Sequence, residues 1–176
     1  MRDMVLFLAL TSLASKENVM EICLMREEHG MNFDLLRNPS GQSLLTWATS
    51  QPSTVELETL LLAGLDPNVV DDQGVTPFGL AIRGKEPDKI TLLVKYNVDV
   101  NLSEELTTMS PLLMACHTLD ERILELVYKS GGRFNIESEQ ERRHMESLLY
   151  LWKPNNNFEK LKKVLEKSLK AYPSDG

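Results

Sequence analysis

At 176 residues the chain is about the length of one domain, and its 42% hydrophobic content is enough to bury a core. The net charge of −7 excludes a general nucleic-acid binder, because phosphate contacts need clustered Lys and Arg. The charge is uneven: residues 153–176 carry six lysines against Glu159, Glu166 and Asp175, for +3, which leaves −10 on the rest, a surface that steers basic partners.

The first apolar segment, Val5 to Leu13, has the length of a signal-peptide core, but Asp3 offsets Arg2 and no A-x-A site follows. It is read instead as part of a helix over Asp3 to Ala14, with a second helix over Val19 to Glu28 and a loop at His29-Gly30-Met31-Asn32-Phe33-Asp34. No run approaches the ~20 apolar residues needed to span a bilayer.

From there the sequence repeats itself. Gly64-Leu65-Asp66-Pro67-Asn68 returns as Asn97-Val98-Asp99-Val100-Asn101 after 33 residues and as Gly131-Gly132-Arg133-Phe134-Asn135 after 34 more. A second string keeps the same period: Gly41-Gln42-Ser43-Leu44-Leu45-Thr46-Trp47-Ala48 matches Gly74-Val75-Thr76-Pro77-Phe78-Gly79-Leu80-Ala81, and its second part returns in Ser110-Pro111-Leu112-Leu113-Met114-Ala115. Gly41 and Gly74 suit a tight turn of positive φ. Thr76 and Ser110 can cap a helix whose first position is proline. Ala48, Ala81 and Ala115 are small where helices approach. Second-helix stripes follow at Val55, Leu57, Leu60, Leu61; Ile90, Leu92, Leu93; and Ile123, Leu124, Leu126, Val127. Leu60, Leu93 and Leu126 are expected at equivalent places in successive layers. Gly64 and Gly131 end their helices.

Arg142 to Trp152 reads as a further helix, broken by Lys153-Pro154-Asn155-Asn156. A closing helix over Asn157 to Ala171 carries Phe158, Leu161, Val164, Leu165 and Leu169 on one face and lysines on the other. The outer units of a stack must show a polar side to water, and a charged last helix meets that need. Cys23 and Cys116 stand in no metal-ligand spacing; one disulfide is compatible with them, and two buried, reduced thiols are the expectation.

These residues resemble the ankyrin repeat, with Asp71-Asp72-Gln73-Gly74-Val75-Thr76-Pro77 nearest the family pattern and the match specific over residues 38–135. The resemblance implies an all-α solenoid of stacked helix-turn-helix units joined by β-turn loops. About five units are expected: residues 1–37, 38–70, 71–103, 104–136 and 137–176, the outer two atypical. Departures are visible. Thr46, Gly79 and Leu113 replace the usual histidine, and Leu44 replaces a proline. Thr108 stands at the turn glycine of the fourth unit, which has one extra residue, and Arg133 replaces an Asp. The last three fall where the fourth unit would be capped and hydrogen-bonded.

The family binds protein partners along a concave surface of turn tips and inner helices. Carried over position by position, that surface comprises Ser40, Gln42 and Ser50; Asp72, Gln73, Val75 and Arg83; and Leu106, Thr107, Met109 and His117. Val75, Leu106 and Met109 are apolar where turn residues are usually polar, which fits either a partner-binding patch or, for Leu106 and Met109, a distorted turn folded inward. Trp47 is expected in the core. Asn68 and Asn101 have a sufficient role as loop residues.

Catalysis is not expected. His29, His117 and His144 fall in different units with no carboxylate or thiol at ligand spacing, so neither metal nor cofactor is foreseen. Cys116 and His117 point about 100° apart on a helix and cannot form a nucleophile–base pair. Glu104-Glu105 and the group Glu137, Glu139 and Glu141 read as solvated loop charge. The expected role is that of a monomeric, cytoplasmic protein-binding module: an inhibitor, an adaptor, or an effector exported to a host cytosol. The alternative is an assembly subunit using its convex or C-terminal helix face. A membrane role is not expected, its one candidate being the lysine face of Lys160, Lys163 and Lys167.

Overall fold

The computed structural model describes residues 2–30, 32–104, 109–135 and 137–152, together with Glu159, Lys162, Lys163, Glu166 and Lys167. Among them the chain is all-α, with nine α-helices and no strand. Eight helices form hairpins: α1 (Arg2–Ala14) with α2 (Val19–His29), α3 (Leu44–Ser50) with α4 (Val55–Leu62), α5 (Pro77–Arg83) with α6 (Pro87–Lys95), and α7 (Pro111–His117) with α8 (Glu121–Lys129). The hairpins stack. α3 lies against α5 and α5 against α7, α6 lies against α8, and α1 and α2 close the stack over α3 and α4. α9 (Glu139–Trp152) follows. No helix of the described residues is long and apolar enough to cross a membrane.

The helix starts follow from their caps. Ser43, Thr76 and Ser110 accept hydrogen bonds from the N–H groups of Thr46, Gly79 and Leu113 at 3.1, 3.0 and 3.2 Å, satisfying a donor that a helix start leaves orphaned. Pro77 and Pro111 occupy the first helical position beside two of them. Ser110 therefore caps its helix despite the irregular turn before it. α9 begins at Glu139, earlier than the expected Arg142, because Ser138 receives the Glu141 N–H on its hydroxyl and the Arg142 N–H on its carbonyl.

The second helices end alike. The N–H groups of Leu65, Val98 and Gly132 return to the carbonyls of Leu60, Leu93 and Val127. Gly64, Asn97 and Gly131 take the left-handed conformation there, with φ of 83°, 61° and 97°. This corrects one expectation: the partner of Leu60 and Leu93 in the next layer is Val127, fully buried, whereas Leu126 is half-buried. The extra residue of the fourth unit shifts the register by one.

Between layers runs a ladder of side chain to backbone bonds. Asp34 accepts from the Asp66 N–H at 3.0 Å, Asn68 from Asp99 at 2.6 Å, and Asn101 from Arg133 at 2.8 Å. The last rung uses only the backbone of Arg133, so the missing Asp does not interrupt the ladder. Burial raises the Asp34 carboxyl above its ordinary value, against the favourable bond from Asp66, and the Asp66 charge adds to the rise.

Lys89 is 1% exposed. Its ammonium reaches back one layer to the carbonyls of Thr49 at 2.7 Å and Gln51 at 2.5 Å, at the C-terminal end of α3, and pairs with Glu86 at 2.6 Å. A cation suits that end of the helix dipole. One layer earlier the equivalent residue is Glu56, which meets Ser15 at the end of α1 and leaves Oε2 buried without a hydrogen-bond partner among the described residues.

The segment weighed as a signal-peptide core folds as α1, with Leu6, Phe7, Leu10 and Ala14 buried. Of the closing helix, Glu159, Lys162, Lys163, Glu166 and Lys167 are helical. The apolar residues expected on its inner face, together with Lys160, lie outside the described residues.

Two stability changes follow. Lys89→Met leaves the Thr49 and Gln51 carbonyls and Glu86 without their cation and is expected to cost about 3 kcal/mol, read from the urea midpoint. Asp34→Asn keeps the acceptor that Asn68 and Asn101 supply in later layers and removes the half-buried charge. It is expected to stabilise by about 0.5 kcal/mol at neutral pH, the gain limited by solvent screening, and to lose that advantage in acid, where the native carboxyl is protonated.

Candidate functional site

The turns before α3 and α5 have one construction. Asn38 receives the N–H groups of Ser40 and Gln42 on its side-chain oxygen, and Asp71 receives those of Gln73 and Val75. Gly41 and Gly74 complete the turns at φ of 79° and 70°. The two turns are tied edge to edge: the Asp72 N–H donates to the Gly41 carbonyl at 3.0 Å, and Gln73 Nε2 donates to the Ser40 carbonyl at 2.9 Å. A Cβ on Gly41 would stand 2.9 Å from the Asp72 Cβ, so the close approach requires glycine.

This construction exposes Ser40, Asp72 and Gln73 together at neighbouring tips, while Gln42 and Val75 are half-buried. Gln42 accepts from Asn38 Nδ2, and Asp72 pairs with Arg37 at 3.2 Å. Ser50, Arg83 and His117 occupy equivalent places at the C-terminal ends of α3, α5 and α7. Ser50 donates to the Trp47 carbonyl. Met109 is half-buried and packs against the core, consistent with a turn folded inward; Leu106 and Thr107 lie outside the described residues. Trp47 packs at the core's margin, its ring edge-on to Phe7 at 6.5 Å, rather than fully inside.

Arg83 is more than a surface cation. Its guanidinium meets Glu104 at 2.5 Å and the Met114 sulfur at 3.6 Å. Glu104 is 2% exposed and also accepts the Thr76 N–H. The reading of Glu104 as solvated loop charge is thus corrected. Its carboxylate reaches back to the start of α5, an N–H-rich position that favours an anion, and Arg83 neutralises it.

Glu141 corrects the same reading one layer on. Also 2% exposed, it takes the Ser110 hydroxyl and the Asn135 N–H on one oxygen and the Ser110 N–H on the other. The spacing of these carboxylates gave no cue, because each accepts the N–H of a helix cap about 30 positions earlier, across the layer boundary.

Cys116 is buried and Cys23 half-buried, and both are free thiols. Burial drives the Cys116 thiol far up, reinforced by the Glu141 charge, so it stays protonated and is no nucleophile. Among the described residues no group of three or more His, Cys, Asp or Glu could hold a metal. Two open clefts lie near the fourth layer. One, of about 260 Å³, is lined by Asn101, Ser103, Ser110, Arg133, Phe134 and Asn135; the other, of about 560 Å³, by Glu139, Gln140, Arg143 and His144.

The sequence placed His117 and His144 in separate units, yet α7 and α9 bring their rings edge-on with centroids 6.2 Å apart. Nδ1 of His144 is buried without a hydrogen-bond partner among the described residues. Partial desolvation of the otherwise exposed His117 ring, and then the neighbouring His144, hold His117 below the ordinary imidazole range. The native state therefore prefers neutral His117, and its stability is retained above a pH of about 6.5 and lost as pH falls below it, where the unfolded chain takes up the proton first. Thermal midpoints at pH 7.5 and pH 5 are expected to show that loss, and His117→Gln to reduce it; an equal acid shift in the variant would assign the effect elsewhere.

No family model matches the chain. A stretch of 76 residues is 31% identical to a glycerophosphocholine phosphodiesterase of Schizosaccharomyces pombe, covering 43% of this chain and 7% of that protein. The chain thus aligns with a small fraction of the length of this relative.

Proposed function

We propose that the chain is an ankyrin-repeat solenoid that binds a protein partner through its turn tips and the exposed ends of α3, α5 and α7. The observation that carries this reading is the 33- to 34-residue recurrence of cap, turn and ladder rung at equivalent atoms. Those bonds hold the layers rigidly and leave Ser40, Asp72, Gln73, Ser50 and His117 displayed at one layer spacing after another. A preformed surface of this kind docks with little ordering cost.

The mode of action is steric: the protein blocks, recruits or scaffolds its partner as an inhibitor, adaptor or exported effector. The −10 charge outside residues 153–176 favours a partner with a basic face. The matched stretch is 7% of the phosphodiesterase, so that protein's activity is not carried to this chain.

The test is capture of a cytosolic partner by the wild-type chain and by a Ser40→Arg, Gln73→Arg double variant. Arg83 is left in place because its loss would orphan buried Glu104. Both substituted side chains are exposed; Gln73→Arg gives up one exposed bond to the Ser40 carbonyl while the backbone bond from Asp72 to Gly41 stays, so the thermal midpoint is expected to fall only slightly. Loss of the partner from the folded variant supports the turn-tip surface. Retention of the same partner at equal affinity rejects it.

A further inference from the structure

The N-terminal end of the stack is not built as a cap. α1 buries Leu6, Phe7, Leu10 and Ala14 toward α3 and α4, and its opposite side carries Met4, Val5 and Leu8. α2 buries Ile22, and its opposite side carries Met20 and Leu24. These five side chains are between 48% and 72% exposed, and they are five of the eight large exposed hydrophobics among the described residues. The outward side of this hairpin therefore contradicts the expectation of a polar outer unit. Every hairpin behind it has another hairpin laid over the corresponding side.

Charge narrows what can cover it. The exposed charged residues of α1, α2 and their turn include Asp3, Glu17, Glu21, Glu27 and Glu28 against Lys16 and Arg26, and Arg26 is committed to the carbonyls of Ala63 and Gly64. We propose that this face docks a basic amphipathic helix of a protein partner, whose apolar stripe covers Met4, Val5, Leu8, Met20 and Leu24 and whose flanking Lys or Arg meet the acidic rim. The two methionines let the surface adapt to a helix it did not evolve to match atom by atom. A second copy of this chain would bring two acidic rims together, and an anionic lipid surface would meet the same repulsion. The site lies on the end of the stack, apart from the turn tips.

The probe is a fluorescent synthetic leucine–lysine amphipathic helix, read by anisotropy, with a leucine–glutamate helix of the same pattern as control. The wild-type chain is expected to bind the lysine helix and not the control, and the Ser40→Arg, Gln73→Arg variant to bind it equally, which separates this site from the turn-tip surface. Leu8→Ser with Leu24→Ser is expected to weaken binding about tenfold or more at an unchanged thermal midpoint, since both side chains are exposed. Glu21→Lys, Glu27→Lys and Glu28→Lys together are expected to reverse the preference toward the glutamate helix. Equal binding by the Leu8/Leu24 variant, or an unreversed preference, overturns the proposal. So does light scattering that shows a dimer abolished by the same two serines, or tighter binding to phosphatidylserine vesicles than to the peptide.

Discussion

The stack depends on one recurring bond: a side-chain oxygen in one loop accepting a backbone N–H from the loop one layer on. Asp34, Asn68 and Asn101 supply the oxygens, and Asp66, Asp99 and Arg133 the N–H groups. Hydrophobic burial brings the hairpins together but is indifferent to small slides between them. A hydrogen bond between fixed loop atoms is directional, so it sets the offset of each layer on the last. With that offset fixed, the turns before α3 and α5 meet edge to edge, and their tips stand side by side.

Buried charge adds to the same task. The fourth layer lacks the turn glycine, and Glu104 and Glu141 reach back from its two sides to the starts of α5 and α7. Lys89 does the converse, reaching back to the end of α3. Each charge lies at the helix end whose dipole favours its sign, and each is hydrogen-bonded, which offsets the cost of leaving water. Glu56 departs from this logic. It stands at the Lys89 position of the earlier layer with the opposite charge, facing a helix C-terminus with one oxygen unpaired among the described residues.

The parts legible in the sequence are those set by contacts within one repeat. Thr76 and Ser110 announced their helices, and the apolar stripes of α4, α6 and α8 announced their buried faces, because capping and amphipathic burial act over three or four residues. What was illegible acts across layers. Leu126 was taken for the equivalent of Leu93 because spacing alone does not say where an inserted residue is absorbed; Val127 holds the place. Glu104 and Glu141 looked like loop charge since the helix starts they bond, at Thr76 and Ser110, lie about one period earlier. His117 and His144 looked separate because α9 lies beyond the repeating strings. Of the candidate surface, Ser40, Asp72 and Gln73 stand exposed as read, whereas Arg83 is half consumed by Glu104.

A stack held in this way decides which of its groups face outward. Its most buried charged groups are committed to joining layers: Lys89, Glu104 and Glu141 are all at most 2% exposed and hydrogen-bonded across a layer boundary. Among the described residues the carboxylates with the deepest burial face helix starts. What remains outward is arranged by the repeat itself: polar tips at a fixed spacing along one edge, and an apolar, acid-rimmed hairpin at one end. Under the binding role proposed above, such surfaces select by shape and charge over many residues, and recognition is set by how many layers a partner spans.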